Sequence, residues 1–104
     1  MNIRHERIEE ALRVATAEFL AREAGPQSLI TVTRVEVAES GARALIFITV
    51  LPTEHEQKAL EFAARQRQEL GRYFVKNTRG VRIPHIEFII DRGEKNRQRL
   101  DELT

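Results

Sequence analysis

The chain has 104 residues, 41% hydrophobic and 32% charged, with 17 Lys+Arg against 16 Asp+Glu and no cysteine. That is the content of one domain with enough apolar material for a core, which argues against disordered and fibrous classes. It also excludes a disulfide framework, a Cys-ligated zinc site and a thiol nucleophile.

Residues 2–23 place Ile8, Ala11, Leu12, Ala15 and Phe19 at three- and four-residue spacing, the stripe of an amphipathic helix. Glu9, Glu10, Arg13 and Glu18 fall on its wet side, and Gly25-Pro26 ends it. Residues 29–38 alternate through Ile30 and Val32, then through Val35 and Val37. The phase slips by one residue near Arg34, as a β-bulge requires. After Glu39-Ser40-Gly41 comes the apolar run 44–51, too short to cross a bilayer. These two runs predict an antiparallel hairpin.

Thr53 and Glu56 have capping-box spacing, which predicts a helix from Thr53 to about Phe74 or Val75. Its inward face is Ala59, Phe62, Ala63, Leu70, Tyr73 and Phe74. The polar stretch 65–69 leaves that face weakest at its centre, where a kink is expected, with Gly71 a second soft point. A loop over 77–80 leads to a last strand holding Val81 and Ile83 in one phase and Ile86, Phe88 and Ile90 in the other. The flip at Pro84-His85 suits an edge strand with a bulge. The order helix-strand-strand-helix-strand predicts an α+β domain over residues 1–93. Its three-stranded mixed sheet carries helices packed on one face. Residues 94–104 form a charged C-terminal tail.

Little in the sequence offers catalysis. His5, His55 and His85 lack metal-ligand spacing. The pairs Glu9/Glu10 and Glu54/Glu56 suit first helical turns or exposed faces. No nucleophile elbow, phosphate loop or dinucleotide fingerprint occurs. Neither an enzyme nor a metal or cofactor is expected. The charged start Met1–Glu6 has no apolar signal region, so a cytoplasmic location without a membrane partner is expected.

The net charge of +1 conceals a segregation. Residues 1–62 hold seven basic and ten acidic groups, and residues 83–104 hold four and five. Residues 65–82 hold Arg65, Arg67, Arg72, Lys76, Arg79 and Arg82 against Glu69 alone. Such a segment suits a polyanion, because phosphate contacts release counterions and the arginine fork pairs with phosphate in a bidentate fashion. A basic run is also what an ordinary solvated helix face shows. Tyr73 and Phe74, beside Arg72, have rings able to stack on bases, but their spacing fits core anchors better.

The strands and second helix together resemble the ribosome-binding factor A family. The likeness rests on Pro84-His85-Ile86-Glu87-Phe88-Ile89-Ile90-Asp91, similar to a Pro-x-Leu-x-Phe-x-x-Asp ending. It rests also on the two strand runs 30–37 and 44–51 in order with the helices. The resemblance implies a single type II KH-like domain, helix-strand-strand-helix-kink-helix-strand. It further implies a non-catalytic bacterial factor that binds small-subunit rRNA and assists late maturation. In the family an Ala-x-Gly motif interrupts the long helix. Here the matching positions are taken as Phe62-Ala63-Ala64, without that alanine and glycine in place, and Ser40 stands where the hairpin commonly has an acid. Charge and resemblance together make Arg65, Arg67, Arg72, Lys76, Arg79 and Arg82 the expected rRNA-binding residues, with Arg4 and Arg7 as helpers. The partner is then the small ribosomal subunit, bound by a monomer. The alternative is a protein-interaction module that uses an exposed sheet face or edge strand.

Overall fold

The computed structural model describes residues 3–23, 28–77 and 84–93. In chain order it runs α1 (Ile3–Glu23), β1 (Leu29–Val37), β2 (Arg43–Leu51), a 3-10 turn (Thr53–His55), α2 (Glu56–Arg65), α3 (Arg67–Asn77) and β3 (His85–Ile90). The sheet has the order β1-β2-β3, with β1 and β2 antiparallel and β2 and β3 parallel. Parallel neighbours need a crossover, and α2 with α3 supplies it.

The phase slip in β1 is a bulge at Thr33. Val32 pairs with Ile48 and Arg34 with Phe47, so Thr33 is the extra residue. Without it Ile30 and Val32 would face opposite to Val35 and Val37, and half the strand would lose its core face. At the hairpin, Gly41 has φ 75°, a left-handed turn position that suits glycine. The amide of Ala42 donates to Ser40 Oγ at 3.2 Å.

One layer of helices covers one sheet face. Leu12, Phe19 and Leu20 of α1, Ala59 of α2, and Leu70 and Phe74 of α3 pack with Val32, Val35, Ala44, Ile46, Ile48, Val50 and Ile86. Phe74, Leu12 and Ile46 are fully buried, so truncating any of them leaves a cavity. Two α1 residues behave differently from the expected pattern. Glu9 is half-buried rather than wet, and its carboxylate accepts the Val37 backbone N–H at 2.8 Å, tying the helix to the end of β1. Thr16 is fully buried, and its hydroxyl has no partner among the described residues.

The other sheet face is open. Arg34 lies over the Phe47 ring, 4.0 Å from its centroid, and pairs with Glu36 at 2.7 Å. Arg43 pairs with Glu87 at 2.9 Å. Leu29 and Leu51 face each other in register at one end of this surface and are exposed, as is Ile89.

Two local expectations are corrected. Thr53 makes no capping box. Pro52 occupies the N-cap position with extended backbone, Thr53 is already inside the 3-10 turn, and no side chain caps it. Glu56 instead approaches Arg92 at 3.5 Å. The long helix is interrupted at Gln66, inside the polar stretch 65–69 where a kink is expected, and not at the Phe62-Ala63-Ala64 positions taken from the resemblance. Gln66 has φ −89° and ψ 0°, which tightens the last turn of α2. Its N–H reaches the carbonyls of both Phe62 and Ala63, and its own carbonyl accepts from Leu70 to restart the helix. Negative φ is open to any residue, so the interruption needs no glycine. Gly71 breaks nothing: it is buried within α3. Gly25-Pro26, most of the 77–80 loop, Val81, Ile83 and the 94–104 tail lie outside the described residues.

Candidate nucleic-acid interface

The interruption at Gln66 sets the basic side chains on two short helices instead of one long one. Arg65 ends α2, while Arg67, Arg72 and Lys76 lie along α3. All four are exposed, but they are not equivalent. Arg65 and Lys76 have no hydrogen bond or ion pair among the described residues. Arg72 pairs with the exposed Glu69, one helical turn earlier.

Arg67 is turned inward on the backbone. Its Nε donates to the Ala64 carbonyl at 3.1 Å and its Nη1 to the Ile86 carbonyl at 3.4 Å. Ala64 is at the end of α2, where carbonyls lose their helical donors. The guanidinium fills that gap and fastens it to β3. Its planar, five-donor fork suits this double role, which a lysine ammonium does not reproduce.

Arg7 lies near the start of α1 and is not brought to this surface, while the Arg4 side chain lies outside what the structure describes. The contact between α1 and α3 is at the other end of α1, where Phe19 meets Tyr73 with ring centroids 5.8 Å apart. From Arg7 to Arg22 the helix rises by about 22 Å. Arg79 and Arg82 lie outside the described residues.

The residue missed from the sequence is Arg22. It is exposed, and its guanidinium carbon lies 5.1 Å from the Tyr73 ring centroid, over the ring. It belongs to the acidic part of the chain when charges are summed along the sequence, yet the fold sets it beside Arg72 and Lys76. The three line an open cleft of about 440 Å³ between α1 and α3, together with Gln66, Glu69 and Tyr73. Tyr73 is half-buried, and its hydroxyl donates to Glu18 Oε2 at 2.9 Å. That bond favours the neutral phenol and raises its ionisation above the ordinary value of 10.0, helped by partial burial and the Glu18 charge and opposed by Arg22. Phe74, its neighbour, is wholly in the core.

A three-stranded mixed sheet, one helical layer and an interrupted helix carrying exposed cations define a KH-like α+β domain with a basic helical face. The family model described as ribosome-binding factor A matches residues 4–104, and this chain belongs to that family. Solved structures agree. The crystal structure of ribosome-binding factor A from Thermus thermophilus is similar at a TM-score of 0.75 and 24% identity, covering 86% of this chain and 98% of that one. A solution structure of a Thermotoga maritima protein matches at 0.72 and 25%, covering 86% and 89%. A homology model of the Thermus thermophilus factor, fitted into the cryo-EM map of a 30S complex, matches at 0.71 and 26%, covering 82% and 92%. Among the described residues, no helix is long and apolar enough to cross a membrane.

Proposed function

We propose that this chain is a non-catalytic ribosome assembly factor that binds the immature small ribosomal subunit through its rRNA and assists late rRNA processing. The observation that carries this reading is the set of exposed cations around the Gln66 interruption, in a chain of this family. The fitting of a Thermus relative into a 30S complex supports it. Arg65, Arg72 and Lys76 grip phosphates directly, and Arg79 and Arg82 extend the same grip. Arg67 contributes mainly by holding the interruption. Arg4 and Arg7 reach a separate stretch of RNA from the far end of α1. These contacts position the domain, and the shape of the rRNA supplies the selectivity. The factor works as a cytoplasmic monomer and needs no cofactor.

Crosslinking to RNA in cells, with the bound fragments sequenced, tests this. Fragments from small-subunit rRNA are expected, concentrated in precursor particles. Recovery of messenger RNA, or of no RNA, would contradict it.

The alternative, a protein-docking sheet face, has one observation in its favour: Leu29, Leu51 and Ile89 are exposed on the open face. The centre of that face, however, is closed by the protein's own Arg34, laid over Phe47 and paired with Glu36. Rim residues alone are ordinary for a monomer surface. The RNA reading therefore leads.

A further inference from the structure

We infer that the cleft between α1 and α3 receives one unpaired nucleobase of single-stranded RNA, stacked on the outer plane of the Arg22 guanidinium. This inference rests on the RNA-binding reading above and gives it a base-binding position. Phe19, Tyr73 and Arg22 follow one another outward from the core: the two ring centroids are 5.8 Å apart with the rings tilted by 52°, and the guanidinium carbon lies over Tyr73, 5.1 Å from its centroid. The lower end of this column is buried, because Phe19 is 4% exposed and belongs to the core. Its upper end, Arg22, is exposed and has no hydrogen bond or ion pair among the described residues. A guanidinium placed over a fixed aromatic ring is pre-positioned to meet a base, and bases stack on guanidinium planes as they do on aromatic rings.

The surrounding polar groups favour a base over a bare phosphate. The cleft is lined by donors, Arg72 and Lys76, and by acceptors, Glu23 and Glu69, with the Gln66 amide able to do both. A phosphate inside the cleft would meet two carboxylates, so the phosphates that Arg72 and Lys76 grip lie at its rim. The edge of a nucleobase presents donors and acceptors side by side and can use both kinds of group. The pair between Arg72 and Glu69 is exposed and costs little to exchange for contacts with a base. A volume of about 440 Å³ is within the range of small-ligand sites. Tyr73 itself stays under Arg22, held by its bond to Glu18.

The test compares an oligoadenylate with an abasic oligoribonucleotide of the same length, which keeps the phosphates and lacks the bases. In the NMR spectrum of the full chain, the Arg22 Nε–H and Tyr73 ring resonances should move with the oligoadenylate and stay in place with the abasic strand. Tyr73 is the only tyrosine and there is no tryptophan, so its ring signals are easily assigned. Arg22→Lys, which keeps the charge and removes the plane, should weaken oligoadenylate binding about tenfold and leave the abasic strand unchanged. Equal binding of the two strands, or Arg22 signals that ignore the bases, would overturn the inference. So would adenosine monophosphate binding as tightly as the oligomer, because the site would then serve a free nucleotide. Salt-sensitive binding of small subunits with Arg22 silent removes only the base site. Loss of both oligomer and subunit binding removes the RNA reading with it.

Discussion

The Thr33 hydroxyl donates to Asp91 Oδ2 at 2.5 Å, joining the bulge of β1 to the end of β3 although β2 lies between them. The hydroxyl has one proton, and the carboxylate takes it ahead of the Phe47 carbonyl at 3.3 Å. Asp91 also accepts the Gly93 backbone N–H at 2.8 Å, and its own N–H donates to the Ile48 carbonyl at 2.7 Å. One residue thus ends β3 through its backbone N–H and, through its carboxylate, starts the turn at Gly93 and locks the bulge. This gives a physical reason for an aspartate at the close of the Pro84–Asp91 motif.

Thr33→Val and Asp91→Ala should each destabilise the domain by about 1 kcal/mol, since a hydrogen bond to a charged group lies at the upper end of the usual range and solvent exposure reduces it. Urea unfolding of both single variants and the double variant checks this. The double should cost clearly less than the sum of the singles, because both remove the same bond.

Thr16 offers the opposite sign. Its hydroxyl is buried without a partner among the described residues, which costs about 1–3 kcal/mol of desolvation. Thr16→Val keeps the shape and removes the unpaired group, so the domain should be equally stable or up to about 1 kcal/mol more stable. Thr16→Ser keeps the hydroxyl, loses a methyl group, and should destabilise by about 1 kcal/mol. Thermal unfolding of the two variants should move in opposite directions or leave only the serine variant weakened.

Arg67 differs from the arginines proposed to bind RNA, because it serves the fold. Arg67→Ala should lower stability by about 1–2 kcal/mol, because it leaves the Ala64 carbonyl at the interruption without its charged donor. Arg65→Ala, at an exposed position with no partner among the described residues, should stay within about 0.5 kcal/mol of the parent. Denaturant titration of the pair distinguishes them without any RNA present.

Tyr73 gives a pH signature. Its ionisation is raised above 10.0 in the folded state, mainly by the bond to Glu18. The neutral phenol is the favoured form, so its contribution to stability is complete below the unfolded value and is lost as pH rises through the folded one. Stability should therefore fall above the ordinary tyrosine range. Absorbance of the sole tyrosine should titrate late in the parent and closer to the ordinary value in Glu18→Gln.

Much of the fold was legible because apolar periodicity is a direct record of burial. The α1 stripe, the slip near Arg34 and the edge strand at Ile86, Phe88 and Ile90 all followed from it. The interruption was legible as a weak centre in the second helix but not at its residue. Gln66 adopts a backbone open to any residue, so no glycine or proline marks it. The capping box failed because Pro52 takes the cap position one residue earlier. Glu9 read as wet, since a carboxylate bound to a backbone N–H leaves no mark in periodicity. Arg22 was missed for a related reason: charge summed along the chain assigns it to the acidic half, while the fold sets it against α3.

Electrostatic docking of the α2–α3 cations on rRNA is tested most directly by the salt dependence of binding to purified small subunits. The affinity of the parent should fall steeply with salt. Arg65→Glu, Arg72→Glu and Lys76→Glu should each flatten the log–log slope by about 0.7, the value for one lost phosphate contact. Binding that ignores salt, or a slope unchanged in all three variants, would contradict electrostatic docking.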